Sequence, residues 1–425
     1  MKRWYDLYSN ILYMHFSDGF YNLPESAKNA ASPQSTLKRM LRIAGYTLLR
    51  LYGNLLQSVE RPGKLQGKVW LYVVSQNNYD SLQFVQKGMP EAVFVAGQSK
   101  DIGKYNAAVE RISLRRKLLY YYKFPILLQQ FLTHKKKNTL RFFDLLYDAI
   151  GFYEIYYRKL QKYSPAAVVF ANDHNADARA MLLAAKALDI KTIYIQHSSV
   201  SLIFPPLTFD LNLLEGQDSL DKYRKCGTVQ GKVELIGMPK ADAFVTRRNF
   251  SRCISRVGIG CNLLDDLKEV ENLLHKLTVA FPDMKIILRP HPRDTRNLAS
   301  LLTITNNVLL SDSRTEPVFN YLQQLDVQVS SNSGIHLEAV LLNVWSLFYD
   351  FNPEEQLHDY YGFINHGLVD VIKTPDHMIQ TLYSHLNNKP RVFERAQYYN
   401  ATVATEYDGK SSEIALHLIR SFLEC

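Results

Sequence analysis

Residues 167–180 read AVVFANDHNADARA. A run of small and β-branched apolar residues up to Ala171 has the pattern of a strand buried on both faces, and it stops on Asn172, Asp173 and His174 before a helical stretch begins. A core strand that ends on an amide, a carboxylate and an imidazole places polar chemistry at a sheet's carboxyl edge, where open parallel sheets bind ligands. Similar apolar runs recur on either side: KVWLYVVS (68–75), AVFVAG (92–97), KTIYIQH (191–197), FDLNLLEG (209–216) and KVELIGM (232–238). Helical stretches lie between several of them, so the fold class is α/β with a parallel, doubly wound sheet.

A second unit is expected after Pro239. It has a helix over 263–280, strands MKIILRPHP (284–292), NNVLLSDS (306–313), DVQVSSNSG (326–334) and VWSLFYDF (344–351), and helices near 316–324 and in GIHLEAVLL. The expected domains are therefore 1–239, with 1–66 a helical extension, and 240–425, whose last helix SSEIALHLIRSFLEC docks on either one. Two doubly wound sheets in series, each binding at the carboxyl side of its strands, are expected to face each other across a cleft.

Composition bounds the function. With 425 residues and 47% hydrophobic content the chain is long enough for two cores. The cysteines Cys226, Cys253, Cys261 and Cys425 show no CxxC spacing, and the N-terminus MKRWYDLYSN lacks a signal-peptide core, which points to a reducing cytoplasm. No window approaches the roughly eighteen uninterrupted apolar residues of a spanning helix. The net charge of +9 favours an acidic partner. The basic residues concentrate between Lys104 and Lys162, interleaved with Tyr, Phe and Leu; Arg115, Arg116 and Lys135 to Lys137 are either a solvated helix face or a contact for an anionic membrane or acceptor. No nucleic-acid-binding signature accompanies them, so no nucleic-acid partner is expected.

The strongest chemistry is in the second unit. In VQVSSNSGIHLEAVLL, hydroxyls and a glycine fall where a strand yields to a helix. Ser333 as N-cap, Gly334 as a point of close approach and Ser331 together suit a phosphate, and Glu338, about one turn in, suits a ribose. In ILRPHPRD two prolines stiffen the loop around His291, and Arg289 and Arg293 add charge for phosphate oxygens. In the first unit, Gln196, His197 and Ser198 end the strand expected beside 166–172, which places His197 near Asp173. Asp173 is open to two readings, a reacting carboxylate or a helix cap; Asn172 and Asn175 are equally suited to cap. Asp173, His174 and His197 as metal ligands lack any fixed-spacing motif, and no metal is expected. Glu215, Gly216 and Lys240 are candidates to line the cleft.

RPHP followed by SSNSGIHLEA resembles the HP and serine motifs of bacterial capsule and lipopolysaccharide GT-B glycosyltransferases that use CMP-activated sugars. The run NDHNADARAMLLAAKALDIKTIYIQHSSVS with FPPL is most similar to the retaining β-Kdo transferases among them, over roughly 165–350. The resemblance implies a CMP-Kdo donor, a glycan or glycolipid acceptor, no cofactor, and a cytoplasmic protein peripheral on the inner membrane. It implies that His291, Ser331 and Ser333 hold the CMP phosphate and that Asp173 is the nucleophile of a double displacement. His174 and His197 are expected to assist the chemistry, and Asn172, Gln196, Ser198 and Lys240 to contact the sugar or acceptor. RPHP and a serine turn also occur in CDP-glycerol glycerophosphotransferases, which keeps a CDP-alditol donor open. A sugar-nucleotide epimerase and a non-catalytic assembly scaffold are the remaining alternatives.

Overall fold

The computed structural model describes residues 2–55, 60–98, 108–352 and 359–424. Lys104 and Cys425, named above, lie outside them. Contacts divide the chain into two units. Unit 1 comprises residues 1–214, 219–235 and 412–425, and unit 2 comprises 215–218 and 236–411. The chain thus passes from unit 1 at Leu235, where the sequence suggests 239, and the last helix, Ser411–Glu424, returns to unit 1.

Unit 1 is built on a seven-stranded, all-parallel sheet. Its strands are β1 (Val69–Tyr72), β2 (Val93–Gly97), β3 (Val109–Ile112), β4 (Ala167–Phe170), β5 (Lys191–Ile195), β6 (Leu211–Leu214) and β7 (Lys232–Leu235), in the spatial order 3-2-1-4-5-6-7. Winding runs outward in both directions from β1 and β4, so the strand order reverses between them. The carboxyl end of β4, Asn172 to His174, lies at this switch point, the position where doubly wound sheets bind ligands. Between β2 and β4 the chain forms β3, then a 3-10 helix Arg115–Lys123 and helices Phe124–His134, Lys136–Ala149 and Phe152–Tyr163. The N-terminal extension folds into the same core through Tyr8, Ile11, Leu12 and Phe16. The C-terminal helix docks where Gly88 leaves room for Leu416; a Cβ on Gly88 would meet Leu416 Cδ1 at 2.5 Å. Lys191 Nζ donates to the Phe422 and Leu423 carbonyls there.

Unit 2 has its own core and a six-stranded parallel sheet. Its strands are β8 (Arg256–Cys261), β9 (Lys285–Pro290), β10 (Val308–Leu310), β11 (Val327–Ser330), β12 (Trp345–Tyr349) and β13 (Asp370–Ile372), ordered 10-9-8-11-12-13. The reversal falls between β8 and β11. β8 escaped the sequence reading because RVGIGC carries two glycines, which weaken a strand signal. Both are packing requirements: a Cβ on Gly258 would meet Leu325 Cδ1 and Tyr321 Oη at 2.3 Å, and one on Gly260 would meet Gln328 Nε2 at 2.9 Å. No helix among the described residues is long and apolar enough to cross a membrane.

Candidate functional site

In unit 1 the turn after β4 is organised by Asn172, whose Oδ1 accepts from the backbone N–H groups of His174 (3.3 Å) and Asn175 (2.8 Å). Asn175 is the N-cap of helix Ala176–Lys186, its Oδ1 accepting from Asp177 N at 3.0 Å. Asp173 is therefore not the cap. Its carboxylate is 2% exposed, and both oxygens are engaged: Tyr223 Oη donates to Oδ2 at 2.5 Å, and His174 Nδ1 lies 2.9 Å from Oδ1. Burial opposes ionisation of Asp173, but the hydrogen bonds from His174 and Tyr223 and the nearby Arg179 charge outweigh it and hold the pKa below the usual carboxylate value. A carboxylate that accepts from His174 Nδ1 fixes the tautomer in which Nε2 is the basic nitrogen. The pair is an Asp–His dyad with a half-buried imidazole, stacked on Phe204 at 4.3 Å.

β5 pairs with β4, and it brings the His197 ring to 6.4 Å from that of His174. Gln196 is buried and its Nε2 donates to the Ser198 carbonyl at 3.0 Å, closing the QHSS turn; Ser198 itself is exposed. Tyr223, Phe204 and Arg179 escaped the sequence reading. Arg179 sits one turn into the helix that follows the dyad, where it donates to Asn10.

In unit 2 the carboxyl ends of β8, β9 and β11 are tied together. His291 N donates to the Cys261 carbonyl at 2.9 Å, and Arg293 N donates to His291 Nδ1 at 3.1 Å. With Nδ1 accepting, neutral His291 carries its proton on Nε2, a donor suited to a phosphate oxygen. Burial and the Arg293 charge lower its pKa, which favours this neutral form. Arg293 is exposed. Arg296 clamps the loop, pairing with Asp294 at 2.6 Å and donating to the Asp265 and Asn262 carbonyls.

Two expected phosphate ligands are placed otherwise. Arg289 points into the unit, donating to Ser311 Oγ at 2.6 Å and the Glu316 carbonyl at 2.8 Å over the Tyr321 ring. Ser331 is fully buried; its Oγ donates to Asp265 Oδ1 and accepts from Asn262 Nδ2, at 2.6 and 2.7 Å. Both side chains hold the loops in place. Ser333 is half-buried and its Oγ accepts a long 3.4 Å contact from Ile335 N, while Gly334 occupies the cap position of helix Ile335–Leu341. Among the described residues, a Cβ on Gly334 would meet no atom within 4 Å. Behind the turn, buried His336 donates from Nε2 to the Ser331 carbonyl and accepts from Ser346, and desolvation lowers its pKa to about 4.

Glu338 pairs with Lys240 at 2.6 Å. Glu215 is buried in the same unit, and desolvation, with Glu338 and Asp218 adding to it against Lys240, pushes its pKa up to about 8. Among the described residues no cluster of three or more His, Cys, Asp or Glu side chains is placed to hold a metal ion.

No family model and no curated protein sequence matches the chain. Solved structures do. The wall teichoic acid polymerase TagF superposes with a TM-score of 0.54 at 13% identity, covering 91% of this chain and 97% of that one. A UDP-N-acetylglucosamine 2-epimerase gives 0.54 at 12%, covering 84% and 96%, and the UDP-GlcNAc 2-epimerase of Methanocaldococcus jannaschii gives 0.52 at 12%, covering 83% and 99%. At such identities the likeness is one of fold, and the chain has the two-sheet, GT-B-like α/β fold that these proteins share.

Proposed function

We propose that the protein is a transferase that moves a group from a cytidine-nucleotide-activated donor to a hydroxyl of a bacterial surface glycan or glycolipid. The observation that carries this reading is the Asp173–His174 dyad at the switch point of unit 1. His174 Nε2 takes the proton of the acceptor hydroxyl as its oxygen attacks the donor, and buried Asp173 orients the ring and stabilises the imidazolium. In unit 2, His291 Nε2–H and Arg293 meet the phosphate of the departing CMP and Glu338 the ribose. The cytidine nucleotide rests on the likeness of RPHP and SSNSG to CMP-sugar and CDP-glycerol enzymes. A dyad acting as base suits direct attack, as in transfer from a CDP-alditol, and TagF, of similar fold, has been solved with CDPG.

A second reading is retaining transfer of an ulosonic acid, Kdo above all, from its CMP form. It is favoured by the NDH and QHSS turns standing on neighbouring strands. It requires Asp173 to leave Tyr223 and become the nucleophile. The test is to incubate the protein separately with CDP-glycerol and CMP-Kdo and an acceptor glycolipid, and to measure CMP release. Release that is lost in His174→Ala supports the base. A sugar-sized adduct on Asp173 by intact mass establishes the second reading. Release from neither donor overturns both.

A further inference from the structure

We infer that the outer face of helix Thr36–Leu55 docks on an anionic membrane surface, the helix lying in the plane of the lipid headgroups. At 3.6 residues per turn, Leu37, Met40, Leu41, Ala44, Leu48, Leu51 and Tyr52 share one side of this helix. That side faces outward: Leu37 is 69% exposed, Leu41 62%, Leu48 65% and Tyr52 63%. The inward side carries Arg39 and Arg50, each 6% exposed. Arg39 donates to the Arg141 carbonyl and to Thr36 Oγ1, and Arg42 pairs with Asp144 at 3.1 Å. The usual amphipathic arrangement is thus inverted, with arginines beneath and leucines on top. Contiguous exposed apolar surface of this kind marks an interaction site rather than ordinary surface variation.

Charge selects the occupant. The helix holds Lys38, Arg39, Arg42 and Arg50 and no acidic residue. The 3-10 helix Arg115–Lys123 packs against it and exposes Leu119 and Tyr122 together with Arg115 and Arg116. Helix Lys136–Ala149 also packs against it and exposes Leu140 with Lys136 and Lys137, while its carboxylates Asp144 and Asp148 pair with Arg42 and Lys117. The charged residues of the three elements that are exposed are therefore all basic. A broad apolar strip flanked by lysine and arginine suits acyl chains beneath anionic headgroups. The helix is too rich in charge to span a bilayer, so it lies on one. Lys135, grouped with the basic patch from sequence, instead donates to the Phe16 carbonyl at 2.8 Å.

The full chain is tested by co-sedimentation with phosphatidylcholine vesicles with and without phosphatidylglycerol. Wild type is expected to bind the phosphatidylglycerol vesicles at low salt, and Leu41→Glu with Leu48→Glu to weaken that binding at least tenfold with an unchanged melting temperature. Lys38→Gln, Lys136→Gln and Lys137→Gln together are expected to lower binding and flatten its salt dependence. Because the substituted side chains are exposed, cytidine nucleotide affinity serves as an independent check on the fold. Wild type that does not sediment with phosphatidylglycerol vesicles overturns the inference. So does a concentration-dependent dimer in solution that the two glutamates abolish, which makes the strip a surface between copies of the chain.

Discussion

Tyr223 and Asp173, fifty positions apart in sequence, meet in a 2.5 Å hydrogen bond that leaves the carboxylate with a donor on each oxygen. Asp173 is thereby engaged as an acceptor on both oxygens, and under the proposed dyad mechanism the group that meets substrate is the His174 imidazole. Asp173→Asn offers His174 an amide that no longer selects one tautomer. Transfer is expected to fall by about 10²- to 10⁴-fold with nucleotide binding intact. Steady-state rates and CMP titrations check this; a rate within tenfold of wild type removes the dyad from the mechanism.

Tyr223→Phe strips one donor from a buried carboxylate and is expected to cost about 1.5–3 kcal/mol at neutral pH. Because the folded pKa of Asp173 is depressed, its contribution to stability is present above the unfolded value and lost as pH falls through the folded one. The difference between mutant and wild type should accordingly shrink in acid. Urea titrations across pH measure it, and a difference that grows as pH falls would contradict the ionised, doubly bonded state.

His291→Ala removes the Nε2 donor from a loop whose shape is held by other bonds, notably Arg296 with Asp294. CMP affinity should fall by about 1.5–3 kcal/mol, the scale of a hydrogen bond to a charged group, with little change in melting temperature. Calorimetry on the folded mutant decides; unchanged affinity places the phosphate elsewhere.

Buried His336 makes the serine turn acid-sensitive. Its pKa is lowered to about 4, below the unfolded value near 6.5, so the stability it confers is complete above about pH 6.5 and declines as pH falls toward 4. The loss should be on the order of 3 kcal/mol over that range. His336→Asn, if it folds, should lose that part of the pH dependence, and an unaltered acid profile would assign the lability to other groups.

Strands buried on both faces write themselves as continuous apolar runs, which is why β1 and β4 were legible. The strands that were not legible lack that run for different reasons. β8 carries glycines that make room for Leu325, Tyr321 and Gln328, β3 carries Glu110 and Arg111 at the sheet's edge, and β13 is only Asp370–Ile372. Losing β8 hid Asn262 and Asp265, the partners that commit Ser331. The inward turn of Arg289 was equally unreadable, because on a strand covered on both sides the pattern does not say which face points to solvent. The NDH and RPHP loops stood out since each breaks an apolar run abruptly. Tyr223 did not, because its meaning depends on the fold bringing it back to β4.

The winding of the chain sets an order of assembly. Unit 1 is interrupted by residues 215–218 and then by all of 236–411, and its final helix follows them. During synthesis, the helix that presents Leu416 to Gly88 and its last carbonyls to Lys191 leaves the ribosome after every strand of unit 2. The N-terminal Rossmann-like half therefore has to wait, partly open along that flank, while the C-terminal half folds, and a chain cut anywhere before residue 412 would leave the Lys191 and Gly88 surface uncovered for good.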